Sequence, residues 1–314
     1  EMLRSLVGSE MCIRDRIVFR KDKTFLLDWM QVYMEAQESA GKKDGSQIKI
    51  AMRILKDYAG EMVTLDQIDG DFCRGYITYL LTEYHPKGKD ISNYTLHNYY
   101  RALNGALNSA VRKKKMKANP FNELEKSEKI RKPESMRSYM TIEEVQALID
   151  TPMPHEEYEI VKCAYLFSCF CGLRISDIIK LKWKDVFVDR GQYRLAVSMK
   201  KTKEPIYLPL SPEALKWMPE RGGKSSEDNV FDLPSANTIR MQLKPWAKAA
   251  GISKRFSYHT SRHTFATMML TLGADLYTVS KLLGHADVKM TQVYAKIINK
   301  KKDEAVNLVN GLFH

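Results

Sequence analysis

From Glu123 to Ser138 the chain is crowded with charge, poor in apolar side chains and interrupted by Pro133. Such a stretch has little to bury and cannot run through a core. It therefore divides the 314 residues into two folding units, each long enough to hold a core of its own. The reading places a helical domain at 22–125, a linker exposed to solvent at 126–138 and a second domain at 139–314.

The first unit reads as helices only. Phe25, Leu26, Trp29, Met30, Tyr33 and Met34 form a helical stripe within Lys23–Ser39. Gly41 to Gly45 is a turn, and Ile48 to Tyr58 is amphipathic again. A third helix spans Asp69 to Tyr84 and stops at His85-Pro86. Ser92 caps a fourth, which runs to about Lys115 before Asn119-Pro120. The second unit begins with a reciprocal cap, Thr141 with Glu144. Helices then surround one strand region: Trp183–Val188, Tyr193–Met199 and Pro205–Pro209, with a tight turn at Asp189-Arg190-Gly191. Helices return at Ser235–Ala250, Thr260–Leu272, Leu276–Leu283 and from Met290 onward. The fold class is mainly α with a small antiparallel sheet.

Fifty Lys and Arg against 38 Asp and Glu give a formal charge of +12, which favours a polyanionic partner. The cations cluster at Arg112, Lys113, Lys114, Lys115 and Lys117, across Lys126–Lys132, and at Lys300–Lys302. One such run is an ordinary solvated helix end; three point to a surface that tracks phosphates. The five cysteines have neither zinc-site nor disulfide-framework spacing and read as reduced thiols of a cytosolic protein. The apolar run Cys163–Leu173 is too short to span a bilayer. Residues 1–16 lack period and cap and resemble translated adapter read-through. They are set aside as an artefactual segment, and a missing natural N-terminus is expected.

Several residues could carry chemistry. Arg174 follows the apolar helix Ile160–Cys171 and Gly172, a residue suited to ending a helix. A guanidinium fixed there can fork onto two phosphate oxygens, or it can simply pair with Asp177. His259 and Arg262 lie three apart at a helix start, on one side and near a terminus that favours anions. His263, one residue on, reads more simply as a packed histidine hydrogen-bonded inside the domain. Gly284 permits a sharp turn that aims His285 into a cleft. Tyr294, nine residues later, is either a half-buried aromatic or a nucleophile. Lys201 is either an exposed turn residue or a general acid for a leaving alkoxide.

In this order, Gly172-Leu-Arg174-Ile-Ser-Asp177, His259-x-x-Arg262-His263, Leu283-Gly-His285 and Tyr294 resemble the boxes of the tyrosine recombinases, the phage-integrase family. The likeness extends over roughly residues 22–310 and looks closest to integrases of Bacteroidetes-type mobile elements. It implies a helical, SAM-like core-binding domain and a mixed α/β catalytic domain that together clamp double-stranded DNA. The expected activity is site-specific cutting and rejoining through a 3′-phosphotyrosyl link and a Holliday junction. Arg174 and Arg262 would hold the scissile phosphate and stabilise its transition state. Tyr294 would attack. Lys201 would protonate the leaving 5′ oxygen, with Lys200 and Lys203 as rivals. His259 would assist proton transfer, His285 would bond the phosphate and pack on the nucleophile's helix, and Asp177 would support the site. The basic run at 112–117 would line the duplex.

The resemblance implies neither metal nor other cofactor. It implies a homotetramer on paired DNA sites in the bacterial cytoplasm at the nucleoid, with DNA-bending or directionality factors as candidate accessories. A non-cutting DNA-binding relative and a type IB topoisomerase-like enzyme are the competing readings. Cys171 and Ser261 depart from the commoner threonine and leucine of the family.

Overall fold

The computed structural model describes residues 23–133, 137–198 and 205–295. Chain contacts divide it into two compact units, 1–135 and 136–314.

The first unit is built on four helices: α1 (Leu26–Ser39), α2 (Gly45–Ala59), α3 (Gly70–Thr82) and α4 (Asn93–Arg112). The expected Ser92 cap forms, accepting from the Thr95 amide at 3.3 Å, and Asp69 also caps α3, accepting from the Phe72 amide at 2.8 Å. Each satisfies one of the amides left unpaired at a helix start. Apolar faces spaced at three and four residues meet in one core containing Met30, Ile54, Leu55, Tyr76 and Leu103. Trp29 donates its indole N–H to the Ala106 carbonyl at 2.9 Å, which ties α1 to α4.

Two expectations need correction. The last helix stops at Arg112, short of Lys115, because Lys114 turns into the left-handed region at φ 59°. The basic run therefore leaves the helix as an exposed turn. The segment read as an exposed linker is, at its start, part of the first unit. Ile130 is buried in that core, its carbonyl lies 2.9 Å from His97 Nδ1, and Glu128 pairs with Arg74 at 2.8 Å. One apolar side chain, one backbone bond and one ion pair anchor a segment whose Arg131 and Lys132 are exposed.

The second unit opens with α5 (Ile142–Asp150), where Thr141 and Glu144 form the reciprocal cap. Then come α6 (Glu159–Cys171), the single turn α7 (Ile175–Ile178), three strands, the single turn α8 (Pro212–Leu215), α9 (Ala236–Ala249), α10 (Tyr258–Thr271), α11 (Leu276–Leu282) and α12 (Lys289–Ala295). The strands β1 (Val186–Asp189), β2 (Gln192–Ser198) and β3 (Pro205–Pro209) form an antiparallel meander. Strand β1 begins at Val186, three residues later than expected, because Trp183–Asp185 forms a 3₁₀ turn. Arg190 and Gly191 both take positive φ, the geometry that closes a two-residue hairpin.

Helix α6 is buried on nearly every side. Around it Tyr165 stacks on Phe256 at 4.9 Å and meets Trp246 and Tyr258 edge-on. The Tyr258 hydroxyl donates to the Ala164 carbonyl at 2.7 Å, which fixes α10 against α6. Helix α10 is unusual because its buried residues include Thr260, Ser261, Arg262, His263, Thr264 and Thr267. Such a helix is tolerated only if those groups find partners. Ser261 donates to the Tyr258 carbonyl, Thr264 to the Thr260 carbonyl and Thr267 to the His263 carbonyl. Thr264 also accepts from the Met140 amide.

Candidate active site

Helix α6 ends at Gly172, whose φ of 74° lies in the left-handed region. A Cβ placed there would stand 2.5 Å from a ring carbon of Phe265 on α10. Glycine is thus required twice, for backbone conformation and for close approach. The chain emerging from it places Arg174 at the start of α7. Its side chain lies 3.8 Å from Asp177, and the Asp177 carboxylate also accepts from the Arg174 amide.

Helix α11 ends in a second glycine turn. The Gly284 amide bonds the Lys281 carbonyl, the His285 amide bonds the Ser280 carbonyl, and Gly284 sits at φ 59°. This pattern closes a helix through a left-handed residue. It turns His285 toward α12, where its Nδ1 lies 2.7 Å from the Thr291 hydroxyl.

Arg262 joins the two turns. It is 2% exposed, and its terminal nitrogens donate to the carbonyls of Gly172, at 2.6 Å, and Leu283. Both carbonyls stand at helix C-termini, where backbone acceptors have no partner within the helix and carry partial negative charge. A guanidinium has five N–H donors, so three remain for another acceptor.

Tyr294 closes the arrangement. It lies on α12 and is 1% exposed, not half-buried, packed among Phe265, Ala266, Leu270, Val279 and Leu283. Its hydroxyl is 2.6 Å from His263 Nδ1 and 3.5 Å from an Arg137 terminal nitrogen. His259 is exposed one turn before His263, the two rings edge to face at 4.5 Å.

The electrostatics follow from burial among cations. Burial pushes Arg262 down to about 10, with the Arg174 charge acting in the same direction. Burial and the charges of His259, Arg137, Arg262 and His285 bring His263 to about 3. His285 falls to about 4 through burial and then Arg262, Arg174 and Arg137. His259 is lowered for the same reasons. Burial raises the Tyr294 phenol, and Arg137 and Arg262 oppose that rise. At neutral pH this is a site of fixed guanidinium charge, neutral imidazoles and a protonated phenol, suited to an oxyanion.

The structure brings Arg174, His259, Arg262, His285 and Tyr294 into one connected site. Lys201 and its rivals Lys200 and Lys203 lie outside the described residues. The run Arg112–Lys115 with Lys117 is exposed on the first unit. Sequence reasoning missed two groups at the tyrosine hydroxyl. His263 is packed and hydrogen-bonded inside the domain as expected, but its partner is the hydroxyl of Tyr294. Arg137 sits in a stretch read as linker, and the nearest signal for it was only an isolated cation after Pro133.

The described site can be set against known proteins. A model of the phage integrase family matches residues 138–301, and a phage integrase SAM-like domain matches residues 25–131. The chain belongs to the phage integrase family. A tyrosine recombinase of Pseudothermotoga lettingae is 29% identical over 242 residues, covering 70% of this chain and 82% of that protein. The tyrosine recombinase XerD of Vibrio vulnificus is 32% identical over 184 residues, covering 54% of this chain. That match spans 59% of the XerD protein, less than two thirds of its length. Among solved structures, the Tn1549 transposon integrase in complex with transposon right end DNA aligns with a TM-score of 0.70 at 17% identity. It covers 93% of this chain and 100% of that one. A lambda integrase tetramer bound to a Holliday junction aligns with a TM-score of 0.65 at 21% identity. It covers 87% of this chain and 78% of that one. The recombinase fold is therefore shared: a SAM-like helical domain followed by a mainly helical catalytic domain with a three-stranded antiparallel sheet.

Proposed function

We propose that this integrase-family chain is a site-specific DNA recombinase that cuts and rejoins strands through Tyr294. The carrying observation is the connection of the four sequence boxes by two side chains. Arg262 bonds the turns that present Arg174 and His285, and His263, its neighbour in sequence, bonds Tyr294. Phosphoryl transfer needs fixed positive charge beside the non-bridging oxygens and a nucleophile on the line of attack.

In this reading Arg174 and the spare donors of Arg262 bind the scissile phosphate. The Tyr294 oxygen forms a bond to phosphorus as the bond to the 5′ oxygen breaks. Lys201, or its neighbour Lys200 or Lys203, protonates that oxygen. His285 contacts the phosphate from the turn after α11, and His259 stands at the exposed edge. The covalent link conserves the energy of the phosphodiester, so rejoining needs no nucleotide cofactor.

The finer assignments belong to the same proposal. The helical domain at 22–125 would grip the duplex, with Arg112, Lys113, Lys114, Lys115 and Lys117 on phosphates. The segment 126–138 would connect it to the catalytic domain at 139–314. Four copies would act on paired sites through a Holliday junction, in the cytoplasm at the nucleoid, with DNA-bending or directionality factors as accessories. The pattern of boxes favours a Bacteroidetes-type mobile element as the source. No helix among the described residues is long and apolar enough to cross a membrane.

The test is covalent trapping. Nicked suicide duplexes tiled across the DNA flanking the gene are incubated with the protein and run on a denaturing gel. A protease-sensitive shifted band is expected, and Tyr294→Phe should abolish it while retaining duplex binding. An adduct that persists in that variant removes Tyr294 as nucleophile. Binding without adduct by the unaltered chain supports a non-cutting relative, and supercoil relaxation by a monomer without site preference supports a topoisomerase.

A further inference from the structure

We propose that His263 is the immediate proton acceptor for the Tyr294 nucleophile. The inference rests on the recombinase reading and names a group that the sequence boxes left as packing.

The direction of the hydrogen bond follows from the donors present. The Tyr294 oxygen has two described polar neighbours, His263 Nδ1 at 2.6 Å and an Arg137 terminal nitrogen at 3.5 Å. Arginine only donates. With the His263 proton on Nε2, the phenol donates its own proton to His263 Nδ1, which accepts. His259 belongs to the motif usually read as the proton-handling histidine, yet it meets His263 ring to ring and no described hydrogen bond joins it to Tyr294. His263 is on the same α10 turn as Arg262, so the acceptor and the phosphate-binding guanidinium are held by one rigid element. A base must lie within about 2.6–3.2 Å of the proton it takes, and His263 meets that requirement before any rearrangement.

The step balances. The Tyr294 O–H proton moves to His263 Nδ1, giving an imidazolium. The phenolate oxygen bonds phosphorus, and the 5′ oxygen leaves with a proton from the lysine acid. In rejoining, the 5′ hydroxyl gives its proton back to the lysine as its oxygen bonds phosphorus, the bond from phosphorus to the tyrosine oxygen breaks, and His263 returns its proton to that oxygen.

The surroundings also time the step. His263 is a weak base as it stands, held down by burial and by His259, Arg137, Arg262 and His285 around it. A phosphodiester anion between Arg174 and Arg262 offsets the cationic part of that effect. The imidazole is therefore a stronger base with DNA in place than without it, although burial, the larger cause, still holds it down. Arg137, beside the same oxygen, stabilises the phenolate as it forms.

The experiment compares adduct formation by the unaltered protein, His263→Phe and His263→Asn on a suicide duplex that the unaltered protein cleaves. Each is also made with 3,5-difluorotyrosine at position 294, a phenol that loses its proton more readily. Asparagine retains an acceptor near Nδ1 but takes no proton. General bases contribute about 10²–10⁴-fold, so both variants should slow adduct formation by at least about 100-fold, with duplex binding and melting temperature retained. Difluorotyrosine should recover at least about tenfold in both. Recovery of near-normal rate by His263→Asn alone would overturn the proposal and leave His263 as a positioning residue. A defect that difluorotyrosine leaves unmoved would overturn it as well.

The contact is also read without cleavage, through the ¹⁹F resonance of 3-fluorotyrosine at 294. Its titration should shift between the unaltered protein and His263→Phe, and identical titrations would overturn the contact. A protein that shows the contact but forms no adduct on any duplex refutes the recombinase reading instead.

Discussion

Replacing Gly172 with alanine tests the packing that holds the site together. Two costs add at this residue. Its φ of 74° is a conformation that costs a residue with a Cβ about 1–2 kcal/mol. The new Cβ would also lie 2.5 Å and 2.9 Å from two ring carbons of Phe265, which sits on α10 within the site. Relieving such a clash in a packed core costs typically about 1–3 kcal/mol. Gly172→Ala should therefore lose about 2–5 kcal/mol. Gly251 supplies the control, with the same φ of 74° and open space within 4 Å of where a Cβ would stand. Gly251→Ala should lose only the backbone part, about 1–2 kcal/mol. Urea unfolding followed by tryptophan fluorescence reads the second unit, which holds Trp183, Trp217 and Trp246 against Trp29 in the first. Adduct formation by Gly172→Ala should fall further than its stability alone explains, because the Gly172 carbonyl holds Arg262. Equal losses for the two variants would refute the argument that Phe265 enforces glycine.

Other outcomes can be checked alongside. Tyr258→Phe should cost only about 1 kcal/mol in urea unfolding, because the Ala164 carbonyl it leaves still accepts from Ser168 at 2.9 Å. The second unit should lose stability as pH falls from about 6.5 toward 4. His263 and His285 are depressed to about 3 and 4 in the folded protein, so over that window the unfolded chain binds protons that the folded one refuses. His285→Asn should flatten this slope, and an unchanged slope would exclude His285 as its source. Replacing Lys113, Lys114 and Lys115 with glutamine should weaken duplex binding. It should also reduce the salt dependence of log K by up to about 0.9 for each phosphate no longer neutralised. An unaltered salt slope would place the duplex elsewhere.

What could be read in advance was local. Ser92 and Thr141 with Glu144 are caps whose partners lie three residues away, so side-chain chemistry alone locates them. Arg190-Gly191 is legible for the same reason, as a two-residue turn between alternating strands. The site's long-range contacts have no such signature. His263 and Tyr294 are 31 residues apart, and Arg137 and Tyr294 are 157 apart. Nothing in the composition of either segment marks these pairs. Helix α10 hides its burial behind threonine, serine, arginine and histidine, so an apolar pattern finds only part of it. The early connector misleads in the opposite sense, since Ile130 anchors a stretch that composition assigns to solvent.

Arg262 serves two masters. By occupying the orphan acceptors at the ends of α6 and α11, its guanidinium is a structural staple before any phosphate arrives. A lysine keeps the charge but has no planar fork with which to span both carbonyls. A library at this position screened only for soluble, folded protein, with no demand for recombination, should still return arginine. The usual inference from an indispensable active-site residue to pure catalytic necessity fails here. Selection for foldedness and selection for chemistry coincide on one side chain, and loss of activity in an Arg262 variant reports both at once.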